Sequence, residues 1–171
     1  MPDLEEPSFG AREPVTLLLG YLDFYRDVVV RKLRGLDSEE LSSSRLPSGW
    51  SPIELLRHLA YMERRWVQWG FAGIPVDQPW GDNNGETGRW LVPAGVAFED
   101  VVGELEEVGR RTRELTGSCT LETVSKAGGR FASGGELPTL HWILLHVLQE
   151  YARHAGHLDI VRELSDGTLG E

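Results

Sequence analysis

Two ionisable residues near the C-terminus fall on a helix face that the apolar spacing assigns to the interior. A helix turns about 100° per residue. With Leu140 placed at zero, Val147 lies at about 340° and Ile143 at about 300°. His154 falls between these two at about 320°, and Glu150 lies at about 280°. Because they are four residues apart, the two polar side chains share one face and can bind one ion.

A third such residue, His58, lies on the inward face of the predicted helix 51–73, together with Leu55. A buried carboxylate is costly unless it is paired or bound to a metal, and a buried imidazole also needs a partner. Helical bundles often meet this need with a metal held between facing helices. We therefore predict one divalent metal bound by His58, Glu150 and His154, with zinc favoured and nickel or iron as alternatives. Three protein ligands leave a coordination position open, as in catalytic zinc sites.

Other histidines of the last helix offer alternatives to this assignment. His146 and His157 fall at about 240° and 260°, on the same side of the helix but farther round. Either could replace Glu150 as a ligand. His157 is the better candidate for a residue that orients a ligand or a substrate, and we name it as the candidate catalytic residue. His141 lies in the first helical turn, where exposure to solvent is expected. A metal-free core, in which the polar side chains bond one another, is the remaining alternative.

Glu54 and Cys119 have simpler explanations than chemistry. Glu54 forms a Glu-x-x-x-His pair with His58, but it also completes a capping box that begins at Ser51. The paired Glu-x-x-His motifs of di-iron bundles are absent from the sequence. Cys119 is the only cysteine, so an internal disulfide and a cysteine-rich zinc site are excluded. Because it has no evident activating neighbour, we expect its thiol to be inert.

Tryptophans occur on the same predicted helices. We interpret Trp66, Trp69 and Trp142 as packing residues and predict that Trp69 also lines the cofactor-binding pocket. The sequence contains no Walker-type loop, dinucleotide fingerprint or HExxH motif. Phosphate-bearing cofactors and the common zinc-protease arrangement therefore have no support.

Four amphipathic helices are needed to position these residues. Apolar spacing and start signals predict them at about 14–34, 51–73, 98–116 and 138–164. The connection 74–97 is rich in Pro, Gly, Asp and Asn and is longer than an ordinary helix connection, so it is either functional or a crossover. We predict an all-α fold, a four-helix bundle with long crossover connections, in a single domain spanning 1–171. At least one pair of neighbouring helices would then run parallel.

Composition excludes several classes of partner. The 171 residues carry 27 acidic and 17 basic side chains, a net charge of -10, which repels a phosphate backbone and argues against nucleic acid. No apolar stretch is long enough to span a membrane, and the start Met1–Glu6 lacks the basic and apolar pattern of a signal peptide. We therefore expect a cytoplasmic protein with no membrane partner. A homodimer is the one candidate assembly of this chain.

Two segments of the sequence resemble those of a known family. Trp50–Leu59 resembles the second-helix segment of the DinB-like superfamily of metal-binding four-helix bundles, and Glu150–Asp159 resembles its last-helix signature. Many members carry His-x-x-x-His there. In this sequence the first of these positions is Glu150. A glutamate there resembles the pattern of the actinobacterial branch that includes mycothiol-dependent maleylpyruvate isomerase and mycothiol transferases. By this resemblance His58, Glu150 and His154 take the three ligand positions.

The resemblance implies a metal-dependent thiol S-transferase. The open metal position would bind the sulfur of a low-molecular-weight thiol, mycothiol or a similar compound, and keep it ready as a thiolate. That thiolate would attack a small electrophile. The alternative is a non-catalytic metal-binding bundle that acts in a stress response or as an interaction protein. Only the transferase requires an exchangeable position on the metal.

Overall fold

The computed structural model describes residues 4–169, which form helices joined by loops. The helical elements of this range are α1 (Pro14–Leu33), α2 (Ser38–Ser42), α3 (Pro52–Arg64), a π-helical segment (Arg65–Phe71), α4 (Phe98–Thr116), a 3-10 turn (Gly129–Phe131) and α5 (Leu140–Asp166). The predicted all-α fold is confirmed. Residues 1–3, part of the start that predicts no signal peptide, lie outside the described range.

Three of the predicted long helices, α1, α4 and α5, begin and end within two residues of their expected bounds. Glycines in the left-handed region follow two of them, Gly35 at φ 92° after α1 and Gly167 at φ 76° after α5. Glycine adopts this conformation readily because it has no Cβ, and a residue in this conformation ends a helix. The short helix α2 was not predicted. Its first turn is capped by the Asp37 carboxylate, which accepts a hydrogen bond from the Glu40 N–H at 2.9 Å.

The second predicted helix differs from expectation. It begins as the capping box predicts, with the Ser51 N–H donating to the Glu54 carboxylate at 2.8 Å, but it is α-helical only to Arg64 and then continues as the π-helical segment. Arg57, a charged residue of this helix, is buried. The loop after the helix folds over it, and the Arg57 guanidinium donates to the Gly81 carbonyl at 2.7 Å. The aliphatic part of the side chain packs while its charged end bonds the loop backbone.

Each of α1 and α3 packs against both α4 and α5. Contacts between α3 and α4 advance in the same direction along both helices, since Arg57 lies 3.6 Å from Glu104 and Glu63 bonds Thr112. These two neighbours therefore run parallel, and the connection between them must return along the length of the helices.

Helices α3 and α5 run in opposite directions. The His58 and His154 rings lie 5.5 Å apart, whereas farther along α3 the ring of Trp66 lies 5.3 Å from that of Trp142, which is earlier in α5. Side chains spaced along α3 and α5 therefore face each other across one continuous seam. Within the described range, no helix is both long enough and apolar enough to cross a membrane.

Apolar side chains from all four long helices fill the space between them, which holds the seam in place. The fully buried ones include Leu22, Val29, Leu55, Leu56, Leu59, Val101, Leu105, Leu140, Ile143, Leu144, Val147 and Leu158.

Candidate metal centre

The three predicted ligands meet in the seam between α3 and α5. His58, Glu150 and His154 each offer one ligand atom, and these atoms all lie within 4.8 Å of one another. His154 is buried, and the other two are half-buried. The Nε2 atom of His154 lies 3.4 Å from a Glu150 carboxylate oxygen, as expected for residues one helical turn apart. The inward angles of Glu150 and His154 and the apolar face shared by His58 and Leu55 thus agree with the position of the three side chains in one group.

His58 is oriented by a residue of the connection after the π-helical segment. Its Nδ1 lies 3.0 Å from a carboxylate oxygen of Asp82, which is fully buried. Arg65 donates to both oxygens of that carboxylate, at 3.1 Å for Nη2 to Oδ2. Because Nδ1 bonds Asp82, Nε2 is the nitrogen of His58 that can bind a metal. Carboxylates commonly fix metal-binding imidazoles in this way.

The charge state of Asp82 supports this orientation. Burial alone would raise the pKa of Asp82, but hydrogen bonds from His58 and Arg65 and the positive charge of Arg65 bring the pKa below its usual value. The carboxylate is therefore ionised and accepts the Nδ1–H of His58. In the neutral ring, this hydrogen bond leaves the lone pair of His58 on Nε2.

His154 is held in a matching state by His157. Their Nδ1 atoms lie 3.2 Å apart, while Nε2 of His154 faces Glu150. Burial is the main reason that the pKa of His154 is lowered to about 3, and the adjacent His58, His157 and Arg153 contribute in the same direction. His154 is thus neutral near pH 7. With its proton on Nδ1, it donates to His157 and presents a free Nε2 lone pair.

Aromatic side chains cover this end of the seam. Trp90, from the same connection as Asp82, stacks on the His58 ring at 4.1 Å between ring centroids and meets the His154 ring edge-on at 5.5 Å. Trp50 lies 6.2 Å from the His157 ring. Trp69, the predicted pocket residue, lies in the π-helical segment, where its carbonyl group and its ring are close to Gly129 of the 3-10 turn.

The other predicted residues lie outside the ligand group. The His146 ring stacks on that of Trp142 at 5.1 Å, and its Nε2 lies 3.9 Å from a Glu150 oxygen. His141 is exposed, as predicted. Cys119 is half-buried in the loop after α4, and its thiol donates to the Leu115 carbonyl at 3.6 Å.

Glu150 is the most informative member of the group. In the part of the chain that the structure describes, the only side chains at ion-pair distance from it are the imidazoles of His146 and His154, and it accepts no hydrogen bond there. A half-buried carboxylate faced by nitrogen lone pairs fits a divalent cation, which would be bound by one oxygen and two nitrogens. The donor set therefore suits a metal ion.

Sequence reasoning missed Asp82, Trp90 and Trp50. Asp82 and Trp90 lie in an irregular connection, where no helical or strand period relates one side chain to another. The only signal was the length and composition of the connection 74–97, which marked it as a functional loop or a crossover. Trp50 appeared in the sequence only as the first residue of the segment Trp50–Leu59, next to the capping box, with nothing to indicate a role at the site.

A family model covers most of the sequence. The model described as Mycothiol-S-transferase matches residues 17–167, a range that contains the three ligand residues and the partners of both imidazoles. The comparison with curated proteins gives no match.

Proposed function

Because the chain belongs to the mycothiol S-transferase family, we propose that it transfers a low-molecular-weight thiol to a small electrophile at a divalent metal bound by His58, Glu150 and His154. Mycothiol or a closely similar compound is the proposed thiol, and zinc is the proposed metal. The main observation in support of this proposal is the environment of the Glu150 carboxylate. This carboxylate lies beside two oriented imidazoles and has no cationic side chain other than imidazole at ion-pair distance within residues 4–169.

The chain itself prepares the site for this chemistry. Asp82 and His157 fix the two imidazoles so that each directs Nε2 toward the ligand group. When bound, the metal would lower the pKa of a coordinated thiol from its free value of about 8.5. Three protein ligands leave room for that sulfur. We assign His157 a positioning role, since it contacts a proposed ligand through Nδ1.

The transfer needs no nucleophile from the protein. The thiol gives its proton to solvent, and the sulfur electron pair then forms a bond to the electrophilic carbon. In an activated alkene, the π pair moves to the adjacent carbon, which takes a proton from water. Trp90 and Trp50 cover one end of the seam and limit the access of water to the reacting sulfur.

Metal content and thiol binding test the proposal. The purified protein should contain about one divalent metal ion per chain, as a single three-ligand site requires. Cobalt-substituted protein should develop a sulfur-to-metal charge-transfer band when mycothiol or a close analogue is added. No metal after reconstitution would contradict the site, and metal without a band would favour the non-catalytic metal-binding bundle.

Turnover separates binding from catalysis. Conjugation of a test electrophile by the metal-loaded protein should be lost when His58, Glu150 or His154 is replaced by alanine. A cobalt band without conjugation of any electrophile would support thiol binding and contradict transferase activity against the compounds tested.

A further inference from the structure

A second group of side chains lies in the α3–α5 seam beyond the ligand group. Trp66, Trp142, His146 and Arg130 form this group, which we call the aromatic cluster. The Trp142 and His146 rings are nearly parallel, with 6° between their planes, and the Trp66 ring lies 4.4 Å from His146 and 5.3 Å from Trp142. Trp142 is 50% exposed, so the cluster opens to solvent. None of the chemistry described above uses it.

Arg130 has no anionic partner in this cluster. Its guanidinium lies 4.1 Å from the centre of the Trp66 ring and 5.6 Å from that of the Trp80 ring, and within residues 4–169 it forms neither a salt bridge nor a hydrogen bond. Arg65 offers a comparison, because it lies over Trp80 at 4.3 Å but is fully paired with Asp82. The planar donors of Arg130 are therefore available to a carboxylate from outside the chain.

The backbone holds Arg130 in this place. Gly129 precedes it at φ 50°, and a Cβ there would collide with the Trp69 carbonyl oxygen. Only glycine allows the 3-10 turn to approach the π-helical segment so closely. The turn consequently places the guanidinium directly over Trp66.

The cluster lies in line with the proposed metal ligands. Trp142 precedes Glu150 by eight residues on α5, a distance of about 12 Å along the helix. His146 lies between them, with Nε2 3.9 Å from a Glu150 oxygen. Trp90 and Trp50 contact the ligand group from the opposite end, near His154 and His157. The seam thus has two aromatic ends with the ligand group between them.

Resting on the proposed function, we propose that the aromatic cluster binds the electrophile, and that this electrophile is a planar conjugated carboxylate. Its flat part would stack on Trp66 and Trp142, and its carboxylate would bind Arg130. The reactive end would extend past His146 toward Glu150. Attack forms a carbon–sulfur bond at the alkene carbon nearer the thiolate. The π electron pair moves to the other alkene carbon, which takes a proton from water, so no oxidant or leaving group is required.

The test uses metal-free protein, so that it does not depend on thiol binding. trans-Cinnamate is the planar carboxylate, and cinnamamide is its uncharged counterpart. Titration with cinnamate should shift the indole N–H signals of Trp66 and Trp142 saturably in NMR spectra. Cinnamamide should bind at least about tenfold more weakly, because it cannot form a charge-assisted pair with Arg130.

Variants locate the binding. Arg130→Gln should weaken cinnamate binding about tenfold and abolish the preference for cinnamate over cinnamamide. Trp142→Leu should also weaken cinnamate binding, and because Trp142 is half-exposed this substitution should change the stability of the fold little. Arg110→Gln, which changes an exposed arginine on α4, is the matched control and should bind cinnamate as the unaltered chain does. Folding of each variant is checked by circular dichroism.

Three results would overturn the subsite: no saturable shift, equal affinity for the acid and the amide, or unchanged binding in Arg130→Gln. Displacement of cinnamate by thiol in cobalt-loaded protein would also overturn it, since the cluster would then belong to the thiol. The cobalt band is a separate readout. If the band appears but cinnamate does not bind, the proposed transferase function is retained and the subsite is rejected. If cinnamate binds but no band appears, the transferase function is rejected and the cluster is a carboxylate site.

Discussion

Two buried or half-buried carboxylates, Glu63 on α3 and Glu150 on α5, have very different surroundings. Glu63 is fully buried and accepts hydrogen bonds from three side chains. The Arg26 Nε donates to it at 3.0 Å, the Tyr151 hydroxyl at 2.7 Å and the Thr112 hydroxyl at 2.5 Å. Glu150 has only imidazoles at ion-pair distance in the described range. Side chains of its own chain thus provide Glu63 with hydrogen bonds and a positive charge, whereas Glu150 has no such partners in the described range.

The contrast separates a structural ion pair from a site prepared for a cation. Burial would raise the pKa of Glu63, but the Arg26 charge and the three hydrogen bonds bring it below its usual value. Its charge is therefore neutralised within the fold. Glu150 has no arginine or lysine at ion-pair distance within residues 4–169, and under the proposed function a cation bound between it and the two oriented imidazoles would neutralise its charge. The following predictions test whether the two carboxylates differ in this way.

The largest effect should come from the ligands themselves. His58→Ala and His154→Ala should abolish metal binding, and Glu150→Ala should weaken it severely, because each removes a proposed ligand. These losses should exceed the roughly 10–100-fold effect typical of residues that only support a ligand. Metal analysis after dialysis and a competition titration with a chelator provide the measurements.

His157→Ala is the control for this series, and it should retain most of the metal because His157 contacts only His154 among the proposed ligands. If His157→Ala lost its metal while Glu150→Ala kept it, His157 would be the third ligand in place of Glu150. The ligand set would then be His58, His154 and His157.

The second effect concerns stability. Glu63→Ala leaves the Arg26 guanidinium buried without its partner and should lower the free energy of unfolding by about 3–5 kcal/mol. Urea denaturation measures this change. Glu107→Ala removes an exposed carboxylate that is paired with Arg110, and it should change the unfolding midpoint little. Metal affinity of the folded Glu63 variant should be unaltered, and a large loss of affinity would mean that the two regions are coupled.

The third effect concerns the residue that orients His58. Asp82→Asn should reduce metal affinity about 10–100-fold, because the uncharged amide no longer fixes the imidazole in the required tautomer. Asp77→Asn, at an exposed position of the same connection, should leave the affinity unchanged. Equal affinities for Asp82→Asn and the unaltered chain would show that the hydrogen bond to His58 has no role in metal binding.

Much of the ligand group could be predicted because it lies on helices. The 100° turn per residue fixed the direction of His58, Glu150 and His154 relative to the apolar positions. The same reasoning could have found Glu63, which lies one turn after Leu59 on the buried face. Its spacing was as clear as that of the ligands, but it had no histidine nearby to suggest a metal.

The parts that could not be predicted depend on irregular backbone. Asp82 reaches His58 only because the connection folds back over α3, where Arg57 bonds its carbonyl groups. No period in the sequence encodes that path. The change to π-helical geometry at Arg65 likewise has no local signature, since a π turn inserts one residue per turn into an otherwise ordinary helix. Long-range packing decides both features.

The fourth prediction concerns acid stability. A folded pKa of Glu63 below the ordinary value of 4.5 means that, in acid, the unfolded chain binds more protons than the folded one. The stabilisation is therefore present above about pH 4.5 and is lost as pH falls through the folded pKa. In urea denaturation at a series of pH values, Glu63→Gln should lose less stability between about pH 6 and pH 3 than the unaltered chain. If the free energy of unfolding fell equally with pH in Glu63→Gln and in the unaltered chain, other carboxylates would be the cause of the acid sensitivity.

The smallest effect is expected at Cys119, where replacement by serine should leave thiol conjugation unchanged. Glu104 lies level with Arg57, next to His58, and Thr116 lies twelve residues farther along α4, or about 18 Å by the rise of a helix. Cys119 follows Thr116, so its thiol is far from the ligand group. The attacking sulfur must then be supplied by the cosubstrate. The conjugation rate of Cys119→Ser, measured at saturating thiol, checks this, and a variant that lost activity but kept its metal would identify Cys119 as a nucleophile.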